Sequence, residues 1–275
     1  MSSFKNKNVL ITGGASGIGL LMAKECIREQ AAAVAIWDIN ESTADKLFGD
    51  EFAGSPTQLI TKQVDISKAE QVTEAGKQLA GALSAVDILI NNAGIVVGGP
   101  FEQLSHEQIR QTVAINLLGA MHVTRTLLPD MRRQPSGHIV NIASAAGLMP
   151  NPGMAVYAAS KWGMIGWSES LRLELEEQQA DIRVTTVEPS YIDTGMFAGV
   201  RPPRLTPLLD PGDIAHRIIR AVKDNRIILR APFMVRLVPF LRGILPARAF
   251  DYVAGKLFRV YHSMDTFTGR TQKKL

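Results

Sequence analysis

The sequence of 275 residues contains one cysteine and lacks a long apolar run near its amino terminus. The single cysteine, Cys26, excludes an internal disulfide and the usual cysteine-based zinc patterns, so we expect no metal site. Its place in a helical pattern after Met22 and Ala23 predicts a buried thiol. The residues before the apolar run 9–11 have neither the length nor the flanks of a signal peptide or a membrane span. We therefore expect a cytoplasmic protein.

Charge is distributed unevenly along the chain, although the overall composition, 46% hydrophobic and 20% charged, is that of a globular protein. Residues 1–225 hold 20 Lys and Arg against 24 Asp and Glu, whereas residues 226–275 hold 10 against 2. The basic character thus belongs to the tail. No recognised nucleic-acid-binding motif accompanies these basic residues, so we expect no nucleic-acid partner.

Short β-branched runs alternate with longer segments of helical period through the first two thirds of the chain. The predicted strands are residues 8–12, 33–38, 59–65, 86–91, 137–143 and 183–188, and the predicted helices include residues 18–30, 67–83, 105–128 and 155–178. This alternation predicts an α/β fold, a doubly wound parallel sheet with helices on both faces. We expect one domain over residues 1–275, with a loop at 190–212 that covers a ligand and a basic, amphipathic, helical extension at 226–275.

A glycine-rich turn, Thr12-Gly-Gly-Ala-Ser-Gly-Ile-Gly19, joins the first predicted strand to a helix. Glycines let the backbone approach a pyrophosphate, and the helix amino terminus presents free N–H groups to it. Asp38 ends the second predicted strand, where a carboxylate can accept hydrogen bonds from ribose hydroxyls and repel a 2′-phosphate. No Arg or Lys stands at Ala15, Ser16, Ile39 or Asn40. The pattern favours NAD over NADP.

In a second motif, Tyr157 and Lys161 are four residues apart and therefore lie on one face of a predicted helix. Ser144, at the end of a predicted strand, precedes Tyr157 by thirteen residues. A transfer of hydride between alcohol and ketone also needs a proton to move. A free tyrosine, with a pKa of about 10, is a poor base near neutrality, and a nearby ammonium group favours its phenolate. We expect Tyr157 to be the acid–base, Lys161 to lower its pKa, and Ser144 to hold the substrate oxygen.

Together these motifs resemble those of the short-chain dehydrogenase/reductase family, over nearly all of residues 7–194. The resemblance implies a Rossmann-type fold and an NAD-dependent oxidoreductase whose catalytic residues are Asn116, Ser144, Tyr157 and Lys161. The cofactor contacts that it implies are Gly13, Ser16, Gly17, Ile18, Gly19, Asp38, Asp65, Ile66, Asn91, Ala93, Gly94, Tyr157, Lys161, Pro189, Ile192 and Thr194. It also implies pro-S hydride transfer. One departure is Ser190, which stands where the family commonly has glycine.

The predicted substrate site is apolar. Its candidate lining residues are Ser144, Ala146, Leu148, Met149, Met154, Tyr157, Tyr191, Met196, Phe197 and Val200. None of these carries a charge that could anchor a carboxylate or phosphate, which favours a lipophilic alcohol, ketone or aldehyde. Core packing explains several of these positions equally well. The tail, which includes Ser263-Met-Asp-Thr-Phe267, also resembles that of the retinol and 17β-hydroxysteroid dehydrogenase branch of the family.

The basic tail is compatible with two interpretations. Apolar residues at helical spacing beside arginines are typical of a segment that lies at a membrane surface. Buried amphipathic helices are the more usual case, and such helices would pack on the domain, cap the substrate cleft or join subunits. The resemblance implies a homodimer or homotetramer built through the helices that hold Asn116 and Tyr157.

Two alternatives to a lipophilic alcohol dehydrogenase or carbonyl reductase remain open. A non-catalytic NAD-binding sensor or scaffold could use the same fold, because fold does not determine function. The presence of Ser144, Tyr157 and Lys161 together argues against it. Acyl thioesters or sugars are a second alternative, but the apolar loop offers little to bind their phosphates or hydroxyls.

Overall fold

Seven parallel strands form the central sheet of the computed structural model, which describes residues 2–40, 43–52 and 54–269. The strands are β1 (Asn8–Thr12), β2 (Ala33–Asp38), β3 (Gln58–Gln63), β4 (Ile88–Asn91), β5 (Gly137–Ile142), β6 (Ile182–Pro189) and β7 (Ile228–Ala231). Their order across the sheet is β3-β2-β1-β4-β5-β6-β7. The order reverses direction between β1 and β4, and ligands bind beside the carboxyl ends of the strands at such a point.

Helices cover both faces of the sheet, which confirms the predicted doubly wound fold. They are α1 (Gly17–Arg28), α2 (Ala44–Phe48), α3 (Ala69–Ala82), α4 (His106–Val113), α5 (Ala120–Met131), α6 (Ala155–Glu177), α7 (Pro211–Lys223), α8 (Phe233–Ile244) and α9 (Ala247–Asp251). Residues of α1 and α7 join one apolar cluster, whereas residues of α3, α5 and α6 join the cluster on the other face. Strands β2, β4 and β5 are buried at every position because both faces are covered.

Three local features differ from the sequence-based expectations. The predicted helix at 105–128 is interrupted by a π-helical segment, Ala114–Gly119, between α4 and α5. The predicted loop at 190–212 ends earlier, because Asp210 caps α7 and Pro211 begins it. The strand β7 was not predicted: it is only four residues long. No helix among the described residues is both long and apolar enough to cross a bilayer.

His138 in β5 makes stability sensitive to acid. It lies buried between the hydroxyls of Ser2 and Thr185, and burial lowers its pKa from 6.5 to about 4. Between these pH values the unfolded chain binds a proton that the folded protein does not bind. The neutral imidazole therefore contributes to the free energy of unfolding in full above pH 6.5. This contribution, up to about 3 kcal/mol, is lost as the pH falls from 6.5 towards 4. The free energy of unfolding, measured with urea across this pH range, should fall less steeply with acid in His138→Gln than in the wild-type protein. Equal pH dependence in the two proteins would contradict this role of His138.

Candidate active site

A cleft of about 1290 Å³ lies at the carboxyl ends of the strands, at the point where the strand order reverses. Of the expected cofactor contacts, it is lined by Gly13, Ser16, Gly17, Ile18, Gly19, Asp38, Asp65, Ile66, Ala93, Gly94, Tyr157, Lys161, Pro189, Ile192 and Thr194. The glycine turn, the acid at the end of β2 and the Tyr157–Lys161 pair therefore share one cavity.

Two glycines of the turn, Gly13 and Gly19, have no room for a side chain. Gly13 has a positive φ of 64°, and a Cβ there would lie 2.8 Å from the Ala93 Cα. A Cβ on Gly19 would lie 2.2 Å from the Gly13 carbonyl oxygen. The Ser16 side chain makes no capping hydrogen bond, so the first-turn N–H groups of α1 remain available to a ligand. The turn thus fits a pyrophosphate.

Asn92 fixes the turn against β4. Its side-chain amide donates hydrogen bonds to the carbonyl oxygens of Thr12 and Gly13, each at 3.0 Å, and Asn92 itself lines the cleft. Sequence reasoning named its neighbour Asn91 instead. Asn91 lies outside the cleft, where its side-chain amide donates to Thr124 and Asn141 inside the protein. Asn91 is the last residue of β4 and Asn92 follows it directly. Because successive side chains of an extended chain point to opposite sides, only one of these two asparagines faces the turn.

Asp38 is buried at the carboxyl end of β2, beside the glycine turn. Its Oδ2 accepts a hydrogen bond from the Ala15 N–H at 3.1 Å, and its Oδ1 accepts one from the Asn40 N–H at 3.0 Å. The carboxylate is thereby held in one orientation at the cleft wall. A carboxylate has further acceptor sites, so Asp38 can still accept hydrogen bonds from a ligand.

Ser144, Tyr157 and Lys161 meet where β5 ends and α6 begins, and all three are buried. The Lys161 Nζ donates a hydrogen bond to the Ile142 carbonyl oxygen at 2.7 Å and lies 5.8 Å from the centre of the Tyr157 ring. The Ser144 Oγ accepts a hydrogen bond from the Ala146 N–H at 3.1 Å. The three side chains therefore form one cluster on the floor of the cleft.

Burial dominates the protonation of this cluster. It raises the pKa of Tyr157 above its usual value, and the nearby Ser144 hydroxyl opposes that rise. Burial also lowers the pKa of Lys161 to about 8. The expected lowering of the Tyr157 pKa is therefore not met in the protein alone, because desolvation of the phenolate outweighs the influences that favour it.

Asn116 lies in the π-helical segment, next to the cluster of Ser144, Tyr157 and Lys161 but outside the cleft. Its Oδ1 accepts a hydrogen bond from the Ile95 N–H at 2.8 Å, and its Nδ2 donates to the Ile95 carbonyl oxygen and to the Ser160 hydroxyl. Asn116 is fully buried and does not line the cleft. Such π-helical turns are frequent at functional sites, and here the turn brings Asn116 against the chain that follows β4.

A second cavity of about 850 Å³ adjoins the cleft, and its walls are almost entirely apolar. It is lined by the expected substrate residues Ser144, Ala146, Met149, Met154, Tyr191 and Phe197. Ser144 and Phe197 line both cavities, whereas Tyr157 and Met196 line only the cleft. Leu148 packs beside α6, and neither it nor Val200 lines either cavity.

The carboxyl-terminal extension forms the outer wall of this apolar pocket. Its lining residues there are Met234, Val235, Val238, Leu241, Phe250, Val253, Ala254, Phe258 and Val260. The Ser263 hydroxyl also bonds the Tyr191 hydroxyl at 2.8 Å, and both receive a hydrogen bond from the Asn151 amide. The extension therefore packs on the domain and caps the pocket. Sequence reasoning missed these lining residues because spacing alone does not show which face of a helix is inward.

Ser190 causes no break where the family commonly has glycine. Its N–H donates to the Ala231 carbonyl oxygen at 2.8 Å, which continues the pairing of β6 with β7. Ile192 and Thr194, two and four residues on, still line the cleft.

Comparison with known proteins agrees with this geometry. A family model described as short chain dehydrogenase matches residues 7–204. Epidermal retinol dehydrogenase 2 of Mus musculus is 34% identical over 268 residues, which cover 96% of this chain and 86% of that protein. Short-chain dehydrogenase/reductase 3 of Homo sapiens is 32% identical over 273 residues, covering 98% and 89%.

A solved structure shares the fold. It is a short chain dehydrogenase/reductase from Burkholderia phymatum in complex with NAD, with a TM-score of 0.78 and 24% identity, covering 88% of this chain and 95% of that one. The family match and the two relatives confirm the expected resemblance. The chain belongs to the short-chain dehydrogenase/reductase family, near its retinol dehydrogenase branch, and is an oxidoreductase.

Proposed function

We propose that the protein uses NAD to interconvert a lipophilic secondary alcohol and its ketone, or an alcohol and its aldehyde, with Tyr157 as the acid–base. One observation carries this proposal: Ser144 lines both the dinucleotide cleft and the apolar pocket, with Tyr157 beside it. A substrate that fills the pocket with its apolar body can thus place one oxygen between Ser144 and Tyr157 and its reacting carbon at the cleft.

Several parts of the cleft fit NAD. The glycine turn and the amino terminus of α1 would hold the pyrophosphate, and Asp38 would accept the hydroxyls of the adenosine ribose. Asp65 and Ile66 would meet the adenine, whereas Lys161, Ile192 and Thr194 would hold the nicotinamide end. A phosphate on the ribose would lie against the buried Asp38 carboxylate, which is unfavourable.

The residues around the reacting carbon move the proton. The bound dinucleotide supplies a carbon that accepts or donates a hydride. Ser144 donates a hydrogen bond to the substrate oxygen and orients it towards the Tyr157 hydroxyl. In oxidation Tyr157 takes the hydroxyl proton, and in reduction it gives that proton back. The Lys161 ammonium, 5.8 Å from the Tyr157 ring, favours the phenolate that oxidation needs. Asn116 positions the backbone beside this cluster.

The pocket favours a lipophilic substrate. The substrate-facing side chains of the extension, among them Val238, Leu241 and Phe258, are apolar, and the single charged lining residue, Arg204, lies at the exposed rim. Such a pocket binds an apolar body and leaves phosphates or sugar hydroxyls unpaired. The named activity of the retinol dehydrogenase relatives, oxidation of a lipophilic alcohol, supports the same substrate class.

A screen of secondary alcohols with NAD at mildly alkaline pH tests this function. For a homologous series of alkan-2-ols we expect kcat/KM to rise by about threefold to fourfold per added methylene, because each buried methylene contributes about 0.8 kcal/mol. Sugar alcohols of similar length should be much poorer substrates. Tight NADH binding without turnover on the whole panel would favour the sensor alternative instead.

We also propose self-association through the helices that hold Asn116 and Tyr157. Leu118, in the π-helical segment, and Leu173, on α6, are large apolar side chains left exposed on these helices. A homodimer or homotetramer would bury them. Sedimentation velocity should give a mass of two or four chains, and Leu173→Glu should shift it towards the monomer; a wild-type monomer would contradict this part of the proposal.

A further inference from the structure

The carboxyl-terminal extension has two apolar faces, although only one packs on the domain. The inner face of α8 lines the pocket with Val235, Val238 and Leu241. On the outer face Phe233, Phe240 and Ile244 are spaced seven and four residues apart, and their exposed fractions are 65%, 66% and 62%. Residues at this spacing lie on one side of a helix. Since surface helices normally bury one apolar stripe and expose a polar one, the outer stripe is unexplained by folding.

The segment after α9 adds to the same kind of surface. Tyr252 and Leu257, in the π-helical segment Tyr252–Leu257, are 63% and 54% exposed. We call Phe233, Phe240, Ile244, Tyr252 and Leu257 the outer apolar set. It is interleaved with exposed cations. The Arg236 guanidinium lies 5.8 Å from the centre of the Phe233 ring, and the Lys256 Nζ lies 5.7 Å from that of Tyr252.

Positive charge makes a second copy of this chain a poor occupant of the surface. Arg236, Arg248, Lys256 and Arg259 are all exposed on the extension. The one acid within ion-pair distance of any of them, among the described residues, is Asp251, 3.8 Å from Arg248. A twofold contact through this face would bring like charges together. Apolar side chains with arginine and lysine between them match an anionic lipid surface, which accepts both.

The apolar pocket reaches the protein surface beside this set. Arg204 lines the pocket and is exposed. Its backbone N–H donates to the Phe258 carbonyl oxygen at 2.9 Å, and its side chain donates to the Leu257 carbonyl oxygen at 3.5 Å. Leu257 belongs to the outer apolar set, and Phe258 lines the pocket. The rim of the pocket and the outer apolar set therefore meet at adjacent residues.

We propose that the outer apolar set, with its interleaved cations, docks the protein on an anionic lipid bilayer and places the pocket rim at that surface. A lipophilic substrate dissolved in the bilayer then reaches the pocket without crossing water. Peripheral docking needs no membrane-spanning helix, because the apolar side chains enter only the interfacial region. The advantage to catalysis rests on the proposed function, whereas docking itself does not.

Vesicle flotation of the full-length protein tests the docking. We expect binding to vesicles of phosphatidylcholine with about 30 mol% phosphatidylserine, weak binding to pure phosphatidylcholine, and weakening in about 0.5 M NaCl, since salt screens exposed charge. The double variant Phe240→Ser, Ile244→Ser should bind the anionic vesicles at least tenfold more weakly, because both side chains enter the interface. Arg236→Glu and Lys256→Glu should each weaken binding by about fivefold or more.

Matched variants lie on other surfaces. Ile227→Ser removes an exposed apolar side chain at the opposite end of β7, and Lys77→Glu reverses an exposed charge on α3; both should keep wild-type vesicle binding. All variants should oxidise a short, water-soluble secondary alcohol in solution at the wild-type rate. If the wild-type protein does not oxidise this alcohol, the result counts against the proposed function. Vesicle binding, in contrast, tests only the docking.

Three results would overturn the docking proposal. The first is that the wild-type protein does not bind the anionic vesicles, and the second is that the double variant binds them as tightly as the wild type does. The third is that the double variant loses self-association in sedimentation velocity, which would assign the outer apolar set to a contact between copies of the chain.

Discussion

Replacing Tyr157 with phenylalanine is expected to lower kcat by about 10²–10⁴-fold, the contribution that a positioned acid–base makes. The phenol is buried in the cluster with Ser144 and Lys161, and the ring that remains keeps the packing of α6. NADH binding, followed by quenching of protein fluorescence, should therefore change little. Steady-state rates with NAD and a lipophilic secondary alcohol measure the loss.

Tyr191→Phe is the matched control, because Tyr191 is a second buried tyrosine that lines the pocket. Its hydroxyl bonds Asn151 and Ser263 and is not part of the Ser144 cluster. We expect this variant to raise KM and to keep kcat within about tenfold, as loss of a neutral hydrogen bond costs about 1 kcal/mol. Unchanged turnover in Tyr157→Phe, or equal losses in both variants, would refute the assignment of Tyr157.

Replacing Asp38 with alanine is expected to remove the preference for NAD over NADP. Hydrogen bonds to a charged group contribute about 1.5–3 kcal/mol, so kcat/KM with NAD should fall by about 10–10²-fold. The value with NADP should rise, because the carboxylate no longer opposes the 2′-phosphate. The ratio of kcat/KM for the two cofactors, measured with one alcohol, gives the change in discrimination.

Asp65→Ala provides the comparison for Asp38. Asp65 lines the same cleft and is expected to meet the adenine, which NAD and NADP share. Loss of its carboxylate should weaken the binding of NAD and NADP equally and leave the ratio of their kcat/KM values unchanged. A wild-type enzyme that already prefers NADP, or an Asp38→Ala variant with unaltered discrimination, would contradict the role given to Asp38.

The sheet was predictable because its strands are short, apolar and separated by helices of regular period. Residues 8–12 and 33–38 were predicted with the observed bounds of β1 and β2. The glycine turn, Asp38 and the Tyr157–Lys161 pair were also recognisable, since each depends on local spacing along one strand or helix. Their meeting in one cleft follows from the parallel sheet, whose strands all end at one edge.

Other parts of the site depend on information that spacing does not contain. The π-helical segment Ala114–Gly119 changes the helical register at Asn116, and its one glycine is its last residue, so no glycine or proline marks where the segment begins. The choice between Asn91 and Asn92 depends on which way each side chain points where β4 ends. Which face of the basic tail packs on the domain depends on tertiary contacts. Its inner face caps the pocket, whereas Phe240 and Ile244 on the outer face remain exposed. Burial also raises the Tyr157 pKa against the expected direction.

In the proposed reaction a hydride moves between NAD and a lipophilic alcohol bound beside Tyr157. Oxidation of a secondary alcohol that carries deuterium on the carbinol carbon, followed by NMR of the reduced dinucleotide, tests this transfer. We expect one deuterium per turnover at the pro-S position of the nicotinamide ring, and a slower rate than for the undeuterated alcohol in single-turnover measurements. A reduced dinucleotide without deuterium, or none formed with any alcohol of the series, would contradict it.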